Sequence, residues 1–508
     1  MQRSLSVLGA LSLLVCASAC SPKTAEMTHE PVAQTPPATP SGSAGAGLSG
    51  RSSATAGTGA AGKPATNVGV AAVAGMAATA GSGGSNSGTA GVDAAAGASG
   101  AAAGEGAAGG AAGAAGMSSS RPHSGSEPVT FGRNIKLNDD SGRARQTEVA
   151  LAAGPEGTLL AGWMDERAER TCSFSWSTDG GETWSKNVTI GNTANFVGDP
   201  AVAIDGGGTF YAGCQQYINA GRTGQIKLMT STDKGATWSE VSEIQSAPDK
   251  PYFGGGVEKG VLFVSWLGNP GGIKRSTDMG ASWDMTQSTG DIIHGTAITT
   301  STTGLVHVPY NADSDRNQLR YLRSKDNGET WEMRRDLLPD MGRFCFSCRP
   351  RQHPIVGAGA DPTGKYVAIT WSSTMPDGEG DDDVWVLYSK DGGETWTDPI
   401  RVNDNTTRSR QFEPWVGVDS YGRVHVAWTD YRNGGDNATY YARSADPEQG
   451  FEENIEITEE RGDGQLDFLG DYKGLIVQGD DVVVVWQDTR SDSGDIYAAR
   501  AIGAAGPP

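Results

Sequence analysis

Along residues 128–503 the hydrophobic positions fall in short runs cut by turn residues, the pattern of many brief strands. One set shows it: apolar-rich runs at 147–153, 158–165, 172–177 and 183–190, with a Gly turn after the first and Trp163 near the end of the second. Similar sets begin near Asp199, Pro251, Gly295, His353, Phe412 and Phe468, which predicts seven units of four strands. The last set ends at 496–500 with no fourth strand after it. An orphan strand at 129–139 precedes the first set and resembles the fourth-strand sequence at 399–404. The orphan is expected to close the final unit, which hides the edges that an open array of sheets would expose.

One turn recurs between the third and fourth strands. It reads STDGGETW at 177–184, STDKGATW at 231–238, STDMGASW at 276–283, SKDNGETW at 324–331 and SKDGGETW at 389–396, with a decayed copy at Ser444-Ala445-Asp446 followed by Gly450-Phe451. The Asp accepts hydrogen bonds from nearby backbone N–H groups, Gly supplies a positive φ, and Ser or Thr adds a local hydroxyl. The Trp that follows is large enough to wedge between neighbouring sheets, where its burial contributes roughly 2 to 3 kcal/mol. Packing explains why it recurs in every unit, with ligand binding by these Trp the rival reading. A single turn repeating every 45 to 65 residues or so is the mark of a radial array. The fold class is therefore all-β, a seven-bladed β-propeller of four-stranded blades, with six blades as the alternative.

Composition divides the rest. Residues 1–20 carry Arg3, an apolar run at 5–15 and the small residues Ala17-Ser18-Ala19 before Cys20. This reads as an export signal and resembles that of a bacterial lipoprotein, with Cys20 the lipidated residue; an ordinary secretory signal is the alternative. Residues 21–127 are Ala, Gly, Ser, Thr and Pro with almost no large apolar residue, a tether that cannot fold on its own, and 504–508 is a short tail. The expected location is the cell envelope, outer membrane or surface, or else the medium. A formal net charge of −20 argues against nucleic acid as a partner and against membrane contact other than through the anchor. Cys172, Cys214, Cys345 and Cys348 remain after the signal; in an exported chain they predict the disulfides Cys345–Cys348 and Cys172–Cys214, a zinc site being the runner-up.

With the Asp turns at one end of the ring, candidate chemistry belongs at the other, where the chain leads into first strands and leaves second strands. Three lead-ins share one string: Arg143-Ala144-Arg145-Gln146, Arg349-Pro350-Arg351-Gln352 and Arg408-Ser409-Arg410-Gln411. Six guanidinium groups on one arc would make an anion site suited to carboxylate or phosphate. The competing reading pairs each Arg with acids at the second-strand exits, which repeat as Trp163-x-Asp165-x-Arg167, Trp428-x-Asp430-x-Arg432 and Trp486-x-Asp488-x-Arg490. The acidic loop Asp377, Glu379, Asp381, Asp382, Asp383 is weighed as a Ca²⁺ site against a solvated loop; no other cofactor is expected. His294 and His353 are read as polar caps rather than acid–base groups.

The S-x-D-x-G-x-T-W turns resemble the Asp boxes of the sialidase superfamily, and 128–503 is similar to that family's propeller. The resemblance implies a carboxylate-gripping set of Arg, an acidic general acid, and a Tyr nucleophile activated by a Glu. Carried over residue by residue, it implies Arg145, Arg167 and Arg410 as the grip, Tyr472 in Gly470-Asp471-Tyr472-Lys473-Gly474 as the nucleophile, and Glu413 as its activator. Gln146-Thr147 depart from the family's Ile-Pro after its first Arg, and only Glu169 stands near the general acid's place. Arg351 joins the grip from the shared string, stiffened by the adjacent Cys pair. Three functions follow: a monomeric propeller that binds sialic- or uronic-acid-type glycans at an Arg-rich channel mouth, an exo-α-sialidase, or a non-catalytic scaffold that docks protein.

Overall fold

The computed structural model describes residues 127–507 apart from 143, 168–169, 191–196, 219–222, 246–248, 268–270, 289–291, 313–316, 345–347, 349, 375–381, 463–467 and 492–493. The signal, Cys20 and the tether, Glu169, Cys345 and most of the acidic loop therefore lie outside the described residues, as does the side chain of His294.

Seven antiparallel sheets form, in the order in which the sequence sets occur. Blade one is Gln146–Ala153, Leu159–Asp165, Thr171–Ser177 and Val188–Ile190. Blades two, three and four begin at Val197–Ile204, Asp249–Gly255 and Ile292–Thr296, and blades five, six and seven at Gly357–Ala360, Gln411–Val418 and Gly474–Gln478. Each first strand neighbours the first strands of the blades before and after it, Thr299–Thr300 taking that part in blade four, and the seventh returns to the first, so the ring is closed around a channel. Its fourth strand in blade seven is Ile135–Lys136, paired antiparallel with Asp495–Ala501, Ile135 opposite Ala498. The seven-bladed reading, with an N-terminal closing strand, is the observed architecture.

All five Asp boxes fold alike. In the first, Ser177 Oγ donates to Asp179 Oδ1 at 2.7 Å and accepts from Gly181 N at 2.8 Å. Thr183 N donates to the same carboxylate at 2.9 Å, four residues on. The box Trp of each blade packs into the cluster it shares with the preceding blade: Trp238 against blade one, Trp283 against two, Trp331 against three, Trp396 against four, and Trp184 against blade seven. Because none of these indole N–H groups finds a hydrogen-bond partner among the described residues, their contribution is apolar wedging. Cys172 in blade one and Cys214 in blade two are joined by a disulfide across the blade boundary, as expected. Cys348 is also disulfide-bonded.

Candidate functional site at the channel mouth

The repeated Arg strings have a structural explanation. In blade one Gln146 Nε2 donates to Asp165 Oδ1 at 3.0 Å and its Oε1 accepts from Trp163 Nε1 at 2.9 Å, while Arg167 Nε donates to Asp165 Oδ2 at 2.8 Å. Blade six repeats this with Gln411, Trp428 and Arg432 around Asp430, and blade seven with Trp486 and Arg490 around Asp488. A buried carboxylate at the exit of the second strand thus collects the Arg in all three blades, the lead-in Gln in blades one and six and the Trp in blades six and seven, which satisfies several buried polar groups at once. Arg167 also contacts Asp139 and Ser173, and it does not reach the mouth pocket.

Arginines elsewhere on the arc have acidic partners too. Arg145 forms a two-pronged pair with Glu166, at 3.2 and 2.7 Å, and Arg170 shares that carboxylate. Arg410 Nε donates to Asp382 at 3.0 Å and its Nη1 to the carbonyl of Pro350 at 2.8 Å, and Arg408 is exposed. Asp382 and Asp383, the described part of the acidic loop, are tied to Arg410 and to Arg401 with Asn403. Arg145 and Arg351 differ from the others: they come from blades one and five, and both guanidinium groups lie over the ring of Phe468, at 5.4 and 4.2 Å.

These two arginines rim a cavity of about 340 Å³ whose floor is made from bulges in the first strands. The pairing register slips in blade one between Thr147 and Ala150, in blade two between Gly198 and Pro200, in blade three between Asp249 and Tyr252, and in blade six between Phe412 and Trp415. A charged residue sits in the left-handed region at each slip: Glu148, Asp199, Lys250 and Glu413, with φ of 57°, 43°, 43° and 54°. Bulges re-aim a side chain, and non-Gly residues held at positive φ cost on the order of 1 kcal/mol or more each. Glu148, Asp199 and Lys250 line the mouth pocket together with Asp249.

Buried behind them, Lys250 Nζ pairs closely with Asp471, which also accepts from Arg351 at 3.1 Å and faces His353 at 3.9 Å. Burial pushes the Asp471 carboxyl up, but Lys250, His353 and Arg351 outweigh it and hold it below its usual value. Burial likewise opposes the charge on Lys250, yet Asp471, Asp199, Glu148 and Asp249 keep it firmly protonated. Asp249 moves the other way. Burial and the neighbouring Asp199 push it up to about 7, although Tyr217 donates to it at 3.2 Å.

Tyr472 lies beneath, where the pocket meets the apolar channel. Its hydroxyl accepts from Lys250 Nζ at 3.2 Å and donates to Asp199 Oδ1 at 3.3 Å. Burial, then Asp199 and Glu148, drive its ionisation well above the usual range. Glu413, expected to activate Tyr472, instead accepts from Thr429 at 3.0 Å, with Lys473 as its nearest compensating charge. Asp199, not Glu413, is the carboxylate that meets the Tyr472 hydroxyl. Of the residues singled out from sequence, Tyr472, Arg351 and Arg145 come together at one site; Glu413, Arg410 and Arg167 do not reach it.

The sequence reading missed Glu148, Asp199, Asp249, Lys250, Asp471 and Phe468. One signal was available: a charged residue directly before a proline in a first strand, as in Asp199-Pro200, Lys250-Pro251 and Glu413-Pro414. Proline restricts its predecessor and cannot donate to the ladder, so the pair marks a break in the pairing.

The chain is a seven-bladed Asp-box β-propeller. The BNR/Asp-box repeat family matches residues 387–398, which contain the fifth box. No curated protein matches. Among solved structures, an α-L-arabinofuranosidase of Fusarium graminearum is similar at 14% identity and TM-score 0.43, over 74% of this chain and 99% of that one. The phage phi92 endosialidase is similar at 12% identity and TM-score 0.45, over 74% and 69%. A Hadza microbial sialidase is similar at 18% identity and TM-score 0.38, over 62% and 66%. Resemblances this distant concern the fold.

Proposed function

We propose that the mouth pocket binds a glycan that carries a carboxylate, of the sialic- or uronic-acid type, and that the propeller presents this pocket from the cell envelope on the tether anchored at Cys20. The convergence of Arg145 and Arg351 on the half-buried ring of Phe468 carries the reading. Arg351 has a side chain 43% exposed and, among the described residues, only Asp471 as an acidic partner, so its guanidinium can grip a second carboxylate at the rim. The floor supplies what sugar hydroxyls need, with Asp199, Asp249 and Lys250 in one cavity of about 340 Å³.

Calorimetric titration with N-acetylneuraminic acid and with oligouronates tests this. Arg351→Ala should weaken binding of the acidic sugar about tenfold or more, equivalent to about 1.4 kcal/mol, while binding of a neutral sugar is little changed. Equal affinity of wild type and Arg351→Ala would remove the reading's basis.

Hydrolysis of a terminal sialoside is the second reading, favoured by the placement of the Tyr472 hydroxyl between Lys250, which would stabilise a phenolate, and Asp199, which would take its proton. Turnover of a fluorogenic sialoside by wild type and its loss in both Tyr472→Phe and Asp199→Asn are the expected outcomes. Turnover unaffected by Tyr472→Phe would reject it.

A further inference from the structure

Among the described residues, Glu148 is the one carboxylate of the pocket that no protein group donates to. Its residue is only 5% exposed, it sits in a left-handed bulge with φ 57°, and it lines the mouth cavity. Among the described residues its hydrogen-bonding neighbour is the carboxylate of Asp199, which offers no N–H or O–H of its own when ionised. Two carboxylates in hydrogen-bond contact need a proton between them, as like charges so close cannot both persist in a buried site. Asp199 has the better compensation, since Tyr472 donates to it at 3.3 Å and Lys250 Nζ lies 4.0 Å away. The proton therefore belongs to Glu148.

We propose that Glu148 is the pocket's acidic hydrogen-bond donor, a neutral carboxylic acid poised by Asp199 to meet the carboxylate or a ring or glycosidic oxygen of the bound glycan. This rests on the reading of the mouth as a glycan site. The sequence left the place of an acid to Glu169; a bulge in blade one supplies one from a different part of the chain. Titratable and charged groups facing Glu148 are Arg145 and Arg170 from blade one, Asp199 and Tyr217 from blade two, Asp249, Lys250 and Tyr252 from blade three, Asp471 and Tyr472 from the lead-in to blade seven, and Arg351 and His353 at the rim from blade five. Burial raises the Glu148 carboxyl well above its usual value, Asp199 and Asp471 add to that, and Lys250 opposes it.

Two measurements on the full chain test the proposal. First, infrared difference spectra across about pH 5 to about pH 9 follow protonated carboxyl groups. Glu148→Gln should remove one acid band that persists at neutral pH in wild type, and Asp199→Asn should shift the loss of that band to lower pH. An unchanged acid band in Glu148→Gln would overturn the assignment. Second, the affinity for N-acetylneuraminic acid should fall about tenfold in wild type as pH rises past the ionisation of Glu148, because a donor becomes a repelling anion. Glu148→Gln, whose amide still donates, should keep the low-pH affinity and lose the dependence. A wild-type pH dependence retained in Glu148→Gln would overturn the proposal. If no acidic sugar binds at any pH, the glycan reading falls and the infrared result alone decides the protonation of Glu148. Thermal melts of each variant establish that it is folded.

Discussion

Glu413, paired with Lys473, shows what a buried charge does when it misses the site it was expected to serve. Glu413 Oε2 accepts from Thr429, but Oε1 is sealed from solvent with no hydrogen-bond partner among the described residues. Burial pushes its carboxyl up to about 7 against the pull of Lys473, and burial brings Lys473 down to about 8 against the pull of Glu413. For Glu413 the folded value lies above the unfolded one, so its contribution to stability is complete below the usual 4.5 and is lost as pH rises through about 7. Lys473 has the opposite displacement: its contribution is present above 10.5 and lost as pH falls towards about 8, mostly outside that window. Glu413→Gln keeps the shape and removes the titration. It should melt higher than wild type near pH 8, by the equivalent of about 1 to 3 kcal/mol, and show a shallower decline between about pH 6 and about pH 8. Part of the slope should survive, as Glu148 and Asp249 are displaced in the same direction. Parallel melting profiles of variant and wild type would show that Glu413 is not the group that titrates.

At the scale of the element, the Asp box was legible because its chemistry is local and copied, whereas the bulges that build the pocket have no common residue. Ser177, Asp179 and Gly181 satisfy one another within eight residues, and the same identities recur at 231–238, 276–283, 324–331 and 389–396. The equivalent bulge positions carry Glu148, Asp199, Lys250 and Glu413, alike only in being ionisable, with either sign of charge, and in backbone, and the partners Asp471 and Tyr472 arrive from the far end of the chain. The arginine strings misled for a related reason: the repetition records Gln146 and Gln411 serving Asp165 and Asp430, which is blade architecture. The box glycines offer a direct test of what the turn demands. Gly235 has φ 88°, and a Cβ there would stand 2.3 Å from the indole of Trp176 in the preceding blade; Gly208, at φ 79°, has nothing within 4 Å. Gly208→Ala should cost only the left-handed backbone, about 1 to 2 kcal/mol, and Gly235→Ala that amount plus overpacking of about 1 to 3 kcal/mol. Urea denaturation of the two variants gives the comparison, and equal losses would mean that blade contact places no demand on the box.

At the scale of the whole molecule, the ring is held shut by a strand that begins the folded part of the chain and completes its last blade. Ile135–Lys136 pairs with Asp495–Ala501, Lys136 Nζ reaches Asp495 at 2.7 Å, and Asn138 both donates to Asp495 at 2.7 Å and accepts from Ile496 N at 2.8 Å. The strand also ties to its neighbours: Asn134 Nδ2 donates to the carbonyl of Ile457 in blade six at 2.9 Å, and Asn187 of blade one donates to the carbonyl of Leu137 at 2.9 Å. Val129 and Leu137 are buried in the clusters on either side of blade seven. Pocket geometry depends on this closure, as Asp471 and Tyr472 reach Lys250 and Asp199 only while blade seven stays seated between blades six and one. A chain beginning at residue 127 keeps this closing strand and every contact named for it, and is expected to melt as the full chain does. A chain beginning at residue 141 should lose at least about 4 kcal/mol, since two buried aliphatic side chains and a row of strand pairing go together and an unpaired edge is left at Asp495–Ala501. A synthetic peptide of residues 127–140 added in trans should restore its melting temperature in a concentration-dependent manner. Were the shortened chain to melt unchanged, the strand would be an ornament on a ring closed by blade packing alone, and the mouth pocket would have to owe its shape to the six remaining complete blades.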